Sequence, residues 1–492
     1  MKTIFKGFIS WKSQIFLLST FCLMLFTNNI FSQPVTFDHT FGENGITIIP
    51  ASKGEINRFI FDKLGNIIAI GNTTEYGYPI IIKTDANGIL VKNFGFNGIL
   101  DLDYERAEIY DIKITDDNKI LLVGSFSSSA MLMQFNENGE LDESFGNGGK
   151  INFNYSATGL LSFNITNSNF MLLAEYNHGF IYDWCSISKY SYSGKVDEDF
   201  GSGEIGVSLT DNNTNYSIFS TSIKILSDRS FLIIGFNYQK NKNPKIAFCK
   251  LNENGQFVND FADNGIFISN ITYTTDSNEA ILDVLEDNYG NLFFTGFCND
   301  NCFILKVLPN GVVDKTFGDN GFCFFNNKYP FTIIEHTGRN ILQHNDYYLT
   351  GWYDKIFCTN SDGIMNTNFN NLGVFYCQNF TFRDMKFQEA NKLILGGSSK
   401  GKFAMTRINI PSEVSIKLQP DVIHSITIFP NPVKDYLNFS SKMKFTIMDI
   451  LGRTLVTSEK ELQSIDVSHL KSGLYFINFT DNKVIPFIKE NN

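Results

Sequence analysis

A basic excess is missing: 40 Lys and Arg stand against 51 Asp and Glu. A phosphate backbone needs a cationic face, so nucleic acid is not an expected partner. No CxxC pair occurs among the eight cysteines, which removes support for a zinc ribbon or a thioredoxin-like redox site. The six histidines, His39, His178, His336, His344, His424 and His469, show neither HExxH nor paired ligand spacing. Helical periodicity sustained over about 10–12 residues is absent, which argues against α-solenoids and βαβ units. Proline is scarce, at 11 residues. Beyond the N-terminus no run approaches the about 18 apolar residues of a membrane-spanning helix. The mature chain is therefore expected to lack a transmembrane segment.

What is present is aromatic and glycine-rich. With 49 Phe, 38 Gly and 43% hydrophobic residues, the chain has material for a large core. Aromatics favour strands, and glycine supplies the positive-φ positions of tight turns. At 492 residues it exceeds the usual single domain. The N-terminus reads as a targeting segment. Lys2, Lys6 and Lys12 precede an apolar run over 15–26, then polar Thr27-Asn28-Asn29, then Ile30-Phe31-Ser32 before Gln33. Residues 1–32 are thus expected to be a signal peptide cleaved between Ser32 and Gln33. Lipoprotein processing at Cys22 is disfavoured because Phe21 stands where a small residue belongs. Loss of Cys22 leaves seven cysteines, most of which read as small buried apolar residues. Cys298 and Cys302 flank Asn299-Asp300-Asn301, a hairpin that would bring them within the roughly 4.4–6.8 Å Cα separation of a disulfide.

Self-comparison exposes a repeat. Phe-Gly followed by a polar pair and Gly recurs as FDHTFGENGI (37–46), VKNFGFNGI (91–99), LDESFGNGGKI (141–151), VDEDFGSGEI (196–205), VNDFADNGI (258–266) and VDKTFGDNGF (313–322), with a degraded copy MNTNFNNLGV (365–374). The anchor phenylalanines Phe41, Phe94, Phe145, Phe200, Phe261, Phe317 and Phe369 lie 53, 51, 55, 61, 56 and 52 residues apart. Each interval holds four short strand signals, including a glycine-ending strand such as NIIAIG (66–71) or LFFTG (292–296), punctuated by Asn-Gly and Ser-Gly turns. A four-stranded unit of about 50 residues fits a propeller blade. The pattern resembles the delta-60 repeat of secreted bacterial proteins over about residues 37–410, with Ala262 and Asn370 replacing the glycine. That resemblance implies a propeller-like array and brings no catalytic residue with it. The first anchor precedes any strand-bearing body, and the last body, ending near Ile410, has no anchor after it. A closed ring, with residues 35–49 pairing near 403–410, would resolve both facts.

After residue 410 the composition changes. Residues 411–423 read as a linker. Then ITIFPNPVKDYLNF (426–439), FTIMDILGRTLV (445–456), IDVSHLKSGLYFINF (465–479) and PFIKE (486–490) follow. Pro430-Asn431-Pro432, Gly452-Arg453, Gly473-Leu474-Tyr475 and Lys489 resemble the type A C-terminal sorting domain of the Bacteroidetes type IX secretion system. The resemblance implies a small Ig-like β-sandwich, residues 424–492, that directs passage across the outer membrane and is then removed.

Several chemical motifs fail on inspection. Gly201-Ser202-Gly203-Glu204-Ile205-Gly206 spells GxGxxG, but it lies in a repeat turn with no helix after it to hold a pyrophosphate. Gly148-Gly149-Lys150 lacks the first glycine and the Ser/Thr of a P-loop. Asp211, Asn213 and Asn215 begin like a calcium loop, yet Tyr216 and Ser222 replace its glycine and bidentate Glu. The turn carboxylates Asp142, Asp197 and Asp314 repeat from unit to unit. That points to turn chemistry, with Ca2+ the one cation such turns would suit; no cofactor is expected.

The expectation is therefore an all-β chain: a seven-bladed propeller over 33–410, then the sorting domain. It is read as a secreted or surface-attached binding protein for an extracellular protein or glycan, with no catalytic residue assigned. Two alternatives stand beside it. One is a secreted propeller hydrolase or lyase acting on polysaccharide, with polar side chains from different blades meeting at the channel mouth. The other is a passive surface-layer component.

Overall fold

The computed structural model describes residues 34–490 apart from 76, 104–106, 127–128, 154–156, 166–169, 178–183, 192–194, 202–206, 209, 212–215, 238–243, 270–278, 299–300, 327–339, 368, 371–372, 412–427, 450–452 and 480–483. The signal segment with Ser32 and Gln33, and Gly452 of the sorting motif, lie outside the described residues. The chain divides into two compact units, Met1–Val414 and Ser415–Asn492. All regular elements described are strands.

In the first unit, strands Glu108–Ile114, Ile120–Phe126, Ser129–Phe135 and Lys150–Phe153 form an antiparallel sheet whose spatial order is the chain order. Sheets beginning at residues 157, 210, 279 and 341 repeat that meander. The rest of the unit makes one larger sheet in which the two ends of the array meet. Thr381–Glu389, Lys392–Ser399 and Lys402–Asn409 lead into Ile46–Phe61, and then into Ile67–Thr73, Pro79–Thr84 and Ile99–Asp101. The junction is explicit in the register: Ile46, Thr47 and Ile48 pair with Thr406, Met405 and Ala404, and Thr36 and Phe37 pair with Asn409 and Ile408. The strand Ile46–Phe61 thus serves as the last strand of one four-stranded set and the first of the next.

The central strands of each set are apolar on both faces. Ile67–Thr73, Phe231–Asn237 and Leu292–Cys298 are almost wholly buried. Alternation of apolar and polar residues is expected only where one face meets water; here each sheet is stacked between two others. Among the described residues, seven buried clusters fill the spaces between consecutive sets, and each holds one anchor. Phe41 sits with Ile394, Phe403 and Met405. Phe94 sits with Ile70 and Leu122, Phe145 with Leu121 and Phe163, and Phe200 with Ile187 and Ile233. Phe261 sits with Phe248 and Phe294, Phe317 with Phe293 and Phe357, and Phe369 with Leu349 and Leu395. Each anchor ring contributes about 1.5–3 kcal/mol of burial.

The anchor turn is built alike throughout. The Phe41 amide donates to the Asp38 carbonyl and the Gly45 amide to the Phe41 carbonyl; Phe94 and Gly98, Phe261 and Gly265, and Phe317 and Gly321 repeat this. The residue after the anchor takes a left-handed conformation, with φ of 56° at Gly42 and 49° at Gly95. A Cβ added there would lie 2.4 Å from the Ile46 carbonyl oxygen at Gly42, and 2.5 Å from that of Ile99 at Gly95. The two departures from the pattern keep this backbone: Ala262 has φ 49° and Asn370 has φ 51°.

The disulfide expected between Cys298 and Cys302 is not formed. The hairpin register explains it. Cys298 pairs with Asn301 and Cys302 with Phe297, so the two cysteines are one pair out of step. Successive residues face opposite sides of a sheet, and Cys298 joins one inter-sheet core while Cys302 joins the other.

In the second unit, Ile428–Phe429, Tyr436–Asp449, Gly473–Phe479 and Val484–Lys489 form one antiparallel sheet, with Thr454–Asp466 paired to the long strand. Register shifts between Asn438 and Met443 and between Met443 and Phe445 interrupt that pairing. Leu437, Phe439, Ile447, Ile477 and Phe487 form its core.

Candidate functional site

In six of the sets the first strand carries a register shift at an equivalent place, Ile56/Arg58, Ile109/Asp111, Leu160/Ser162, Ser220/Ser222, Ile281/Asp283 and Phe382/Asp384, whereas Ile341–His344 pairs in continuous register. A bulge adds one residue and re-aims the side chains beside it. The residue after each shift is apolar and buried, as at Phe59, Ile112, Phe163, Ile223, Val284 and Met385. The residues flanking it are mostly charged or polar: Arg58, Asp111, Lys113, Asn164, Lys224, Asp283, Asp384 and Lys386.

These side chains tie every set to the next. The Phe59 amide donates to Asp384 Oδ2 at 2.9 Å, and Arg58 Nε donates to the Tyr110 carbonyl at 2.9 Å. Lys113 Nζ stands 5.7 Å from the Phe163 ring centroid, and Asn164 Nδ2 donates to the Ile223 carbonyl at 3.4 Å. Lys224 pairs with Asp283 at 2.8 Å, while the Ile341 amide donates to Asp283 Oδ2 at 3.2 Å. The Met385 amide donates to Asn340 Oδ1 at 3.0 Å, which joins the sets beginning at residues 341 and 381 and continues the belt.

Charge inside the belt is distributed unevenly. In the pairs Arg58–Asp111, Lys113–Asp111, Lys224–Asp283 and Lys386–Asp384, the cation is 40, 28, 38 and 33% exposed and the carboxylate 10, 10, 14 and 1%. Burial pushes the Asp111 carboxyl up, but Lys113, Arg58 and the Ile112 amide outweigh it and hold it below the usual range. Lys113 is pushed down by burial and by Lys224 and Arg58, against the pull of Asp111. Burial alone would lower Arg58; Asp111, Asp384 and Asp283 together raise it. Arg58 belongs to the first set and Asp283 to the fifth; Lys113 belongs to the second and Lys224 to the fourth. Arg58 and Lys113 are thus within electrostatic reach of charges from non-neighbouring sets.

The turn carboxylates have a different task. Asp38 accepts from the Thr40 amide and hydroxyl, and Asp142 and Asp314 do the same for Ser144 and Thr316. Each also meets a cation: Arg407 at 2.8 Å for Asp38, Lys119 at 2.7 Å for Asp142, Lys189 at 2.9 Å for Asp197 and Lys306 at 2.9 Å for Asp314. Lys119 apart, a cation recurs on the strand before the turn. Lys83, Lys189, Lys250 and Arg407 stand 5.8, 5.8, 5.4 and 5.1 Å from the Phe94, Phe200, Phe261 and Phe41 ring centroids. Among the described residues, no group of three His, Cys, Asp or Glu is placed to hold a metal. Lys150 of the failed P-loop opens a strand, and its carbonyl accepts the Asn147 amide. A shallow depression of about 370 Å³, lined by Asn93, Gly95, Leu100, Asn138, Gly139 and Glu140, lies at the anchor turns.

In the second unit, Asn431 Nδ2 donates to the Pro486 carbonyl at 3.2 Å and its Oδ1 accepts the Ile488 amide at 2.9 Å. Pro430 and Pro432 flank it in cis peptide bonds. Arg453 pairs with Asp449 at 2.6 Å, the Tyr475 hydroxyl donates to the Lys471 carbonyl at 2.7 Å, and Lys489 is buried. Gly473 opens the strand that carries Tyr475. Asn431 thus fixes the start of this unit to its last strand, while Arg453 and Tyr475 hold local turns.

Residues 427–488 match the family described as the secretion system C-terminal sorting domain. Residues 115–145 match a domain of unknown function, DUF5122, described as a beta-propeller. No curated protein matches the sequence. Among solved structures, the polysaccharide lyase Uly1 is similar at 10% identity, over 78% of this chain and 98% of that one, with a TM-score of 0.44. The AfRom2 CNH domain is similar at 11% identity, over 74% and 98%, with a TM-score of 0.40. The PQQ-bound aldose sugar dehydrogenase from Streptomyces coelicolor is similar at 9% identity, over 61% and 93%, with a TM-score of 0.35. At these scores neither activity nor ligand transfers to the present chain. The class is an all-β, propeller protein. More particularly, it is a propeller protein sorted by the type IX secretion system to the medium or the cell surface.

Proposed function

We propose that residues 33–410 form a closed seven-bladed propeller that binds an extracellular protein or glycan at its axis, with residues 424–492 serving only in export. The observation that carries this reading is the belt. Its carboxylates are committed to backbone amides and to lysines, as Asp384 is to the Phe59 amide and Lys386. A general acid or base must instead keep a proton within reach of substrate. Rigid loops and an axial opening presented by a propeller suit recognition. Pairing of residues 36–37 and 46–48 with Lys402–Asn409 supports closure, because it covers an edge that would otherwise invite other chains. Cleavage at Ser32–Gln33 and removal of the C-terminal domain complete the proposed maturation.

The test is a screen of the full chain against extracellular glycans and surface proteins, scored separately for binding and for cleavage. Retention without cleavage products is the expected result. Chain scission, with a new reducing end or an unsaturated product, would replace the binding reading with the hydrolase or lyase. Failure to bind any partner would favour a passive surface component.

A further inference from the structure

Resting on the binding reading, we propose that the axial site is selective for an oxyanion, a carboxylate or sulfate group carried by its ligand. The molecule as a whole carries a formal charge of −11, so an anion would find most of its surface repulsive. The axis is the exception. Arg58, Lys113, Lys224 and Lys386 come from the first strands of four different strand sets and are the more exposed members of their ion pairs. Their carboxylate partners are sunk into the wall, where they accept from the Ile112, Ile341 and Phe59 amides. The four cations outnumber the three carboxylates Asp111, Asp283 and Asp384. Lys113 additionally stands close enough to Lys224 and Arg58 to be disfavoured by both. An anion between them would relieve that repulsion, and it would meet donors already fixed by the belt. Recognition of this kind loses little to ordering the receptor on binding.

The oxyanion has two sources, a free inorganic ion or an acidic saccharide, and titration calorimetry of the full chain separates them. The probes are sodium sulfate, an oligogalacturonate and a neutral cello-oligosaccharide of equal length. The expected result is binding of the oligogalacturonate and none of the neutral chain. That binding should be largely lost near 1 M salt, where the screening length is about 3 Å. Sulfate that binds as tightly as the saccharide would assign the site to the free ion. Lys224→Gln should weaken binding at least about tenfold, as loss of a desolvated charge contact does. Lys63→Gln, in an exposed turn outside the belt, should leave it unchanged. Should Lys224→Gln fail to fold, amine-reactive footprinting of the unsubstituted chain replaces it: the anion must protect Lys113 and Lys224 while Lys63 stays reactive. Equal binding of neutral and acidic chains, or acidic binding that leaves those lysines reactive, overturns the selectivity but not the binding reading. Cleavage of the oligogalacturonate overturns the binding reading and leaves the selectivity standing.

Discussion

A single methyl group tests how strictly the anchor turn dictates its backbone. Ala262 holds φ 49° where five of the equivalent turns have glycine, and a left-handed conformation costs a residue with a Cβ about 1–2 kcal/mol. Part of that is returned by alanine's lower entropy in the unfolded chain. Ala262→Gly is therefore expected to stabilise the protein by about 0.5–1 kcal/mol, read as a rise in denaturant midpoint at constant slope. A midpoint that falls would mean that the Ala262 methyl packs better than it strains. Carboxylates at this scale set the acid limit. Burial pushes Asp62 and Asp314 up, but for Asp62 the Asn66 hydrogen bonds and Lys83, and for Asp314 Thr316 and Lys306, prevail and hold each below 3.8. A group held lower in the folded chain adds stability above its unfolded pKa and loses it as pH falls through the folded value. The melting temperature should thus be flat from neutral pH down to about 5 and drop steeply below about 4. Asp314→Asn should shallow that drop.

At the scale of one element, the segment before the first strand-bearing body has a role its length does not suggest. Thr36–Phe37 and residues 46–48 pair with the same strand, Lys402–Asn409. Phe41 from this segment fills the core against Phe403 and Met405, and Arg407 bonds Asp38 at 2.8 Å. Deleting residues 35–49 removes a strand, an anchor and the partner of a buried guanidinium together. A buried phenylalanine alone is worth about 3–5 kcal/mol on truncation. The deletion should lower the melting temperature sharply and promote aggregation by exposing the strand edge. A deletion that melts like the intact protein would defeat the closed-ring proposal.

Over the whole molecule, the two units divide the work. The first holds the seven cores and the axial belt, while the second has its own core around Phe439, Phe445 and Phe487. A unit with its own core folds without its neighbour. Deleting residues 424–492 should leave the propeller folded, with an unchanged thermal transition, but retained inside the cell envelope. Fractionation of cells expressing the truncated chain is the check. Arrival at the surface as efficiently as the full chain would show that the export information lies elsewhere.

The period of the array, its anchors and the sorting domain were legible in the sequence, because each rests on local chemistry repeated in register. A turn that needs Phe, then a left-handed residue, then Gly writes itself into about ten consecutive positions. The phase of the repeat even pointed to pairing of the two ends. The cation over the anchor ring was partly legible too: PIIIK, SISK, AFCK and MTR place Lys83, Lys189, Lys250 and Arg407 at one position of the repeat. Other features depended on the fold. The hairpin that seemed to join Cys298 to Cys302 turns on a register one pair away, and a one-residue step reverses a side chain's face. The axial belt was hidden for a further reason. Arg58, Asp111, Asp283 and Asp384 share one position of the repeat, and Lys113, Lys224 and Lys386 the position two residues on, but the charge at each place changes from unit to unit, so no single signature marks the belt. Only the bulges in six of the first strands, and the stacking of sheets around one centre, turn them toward one another.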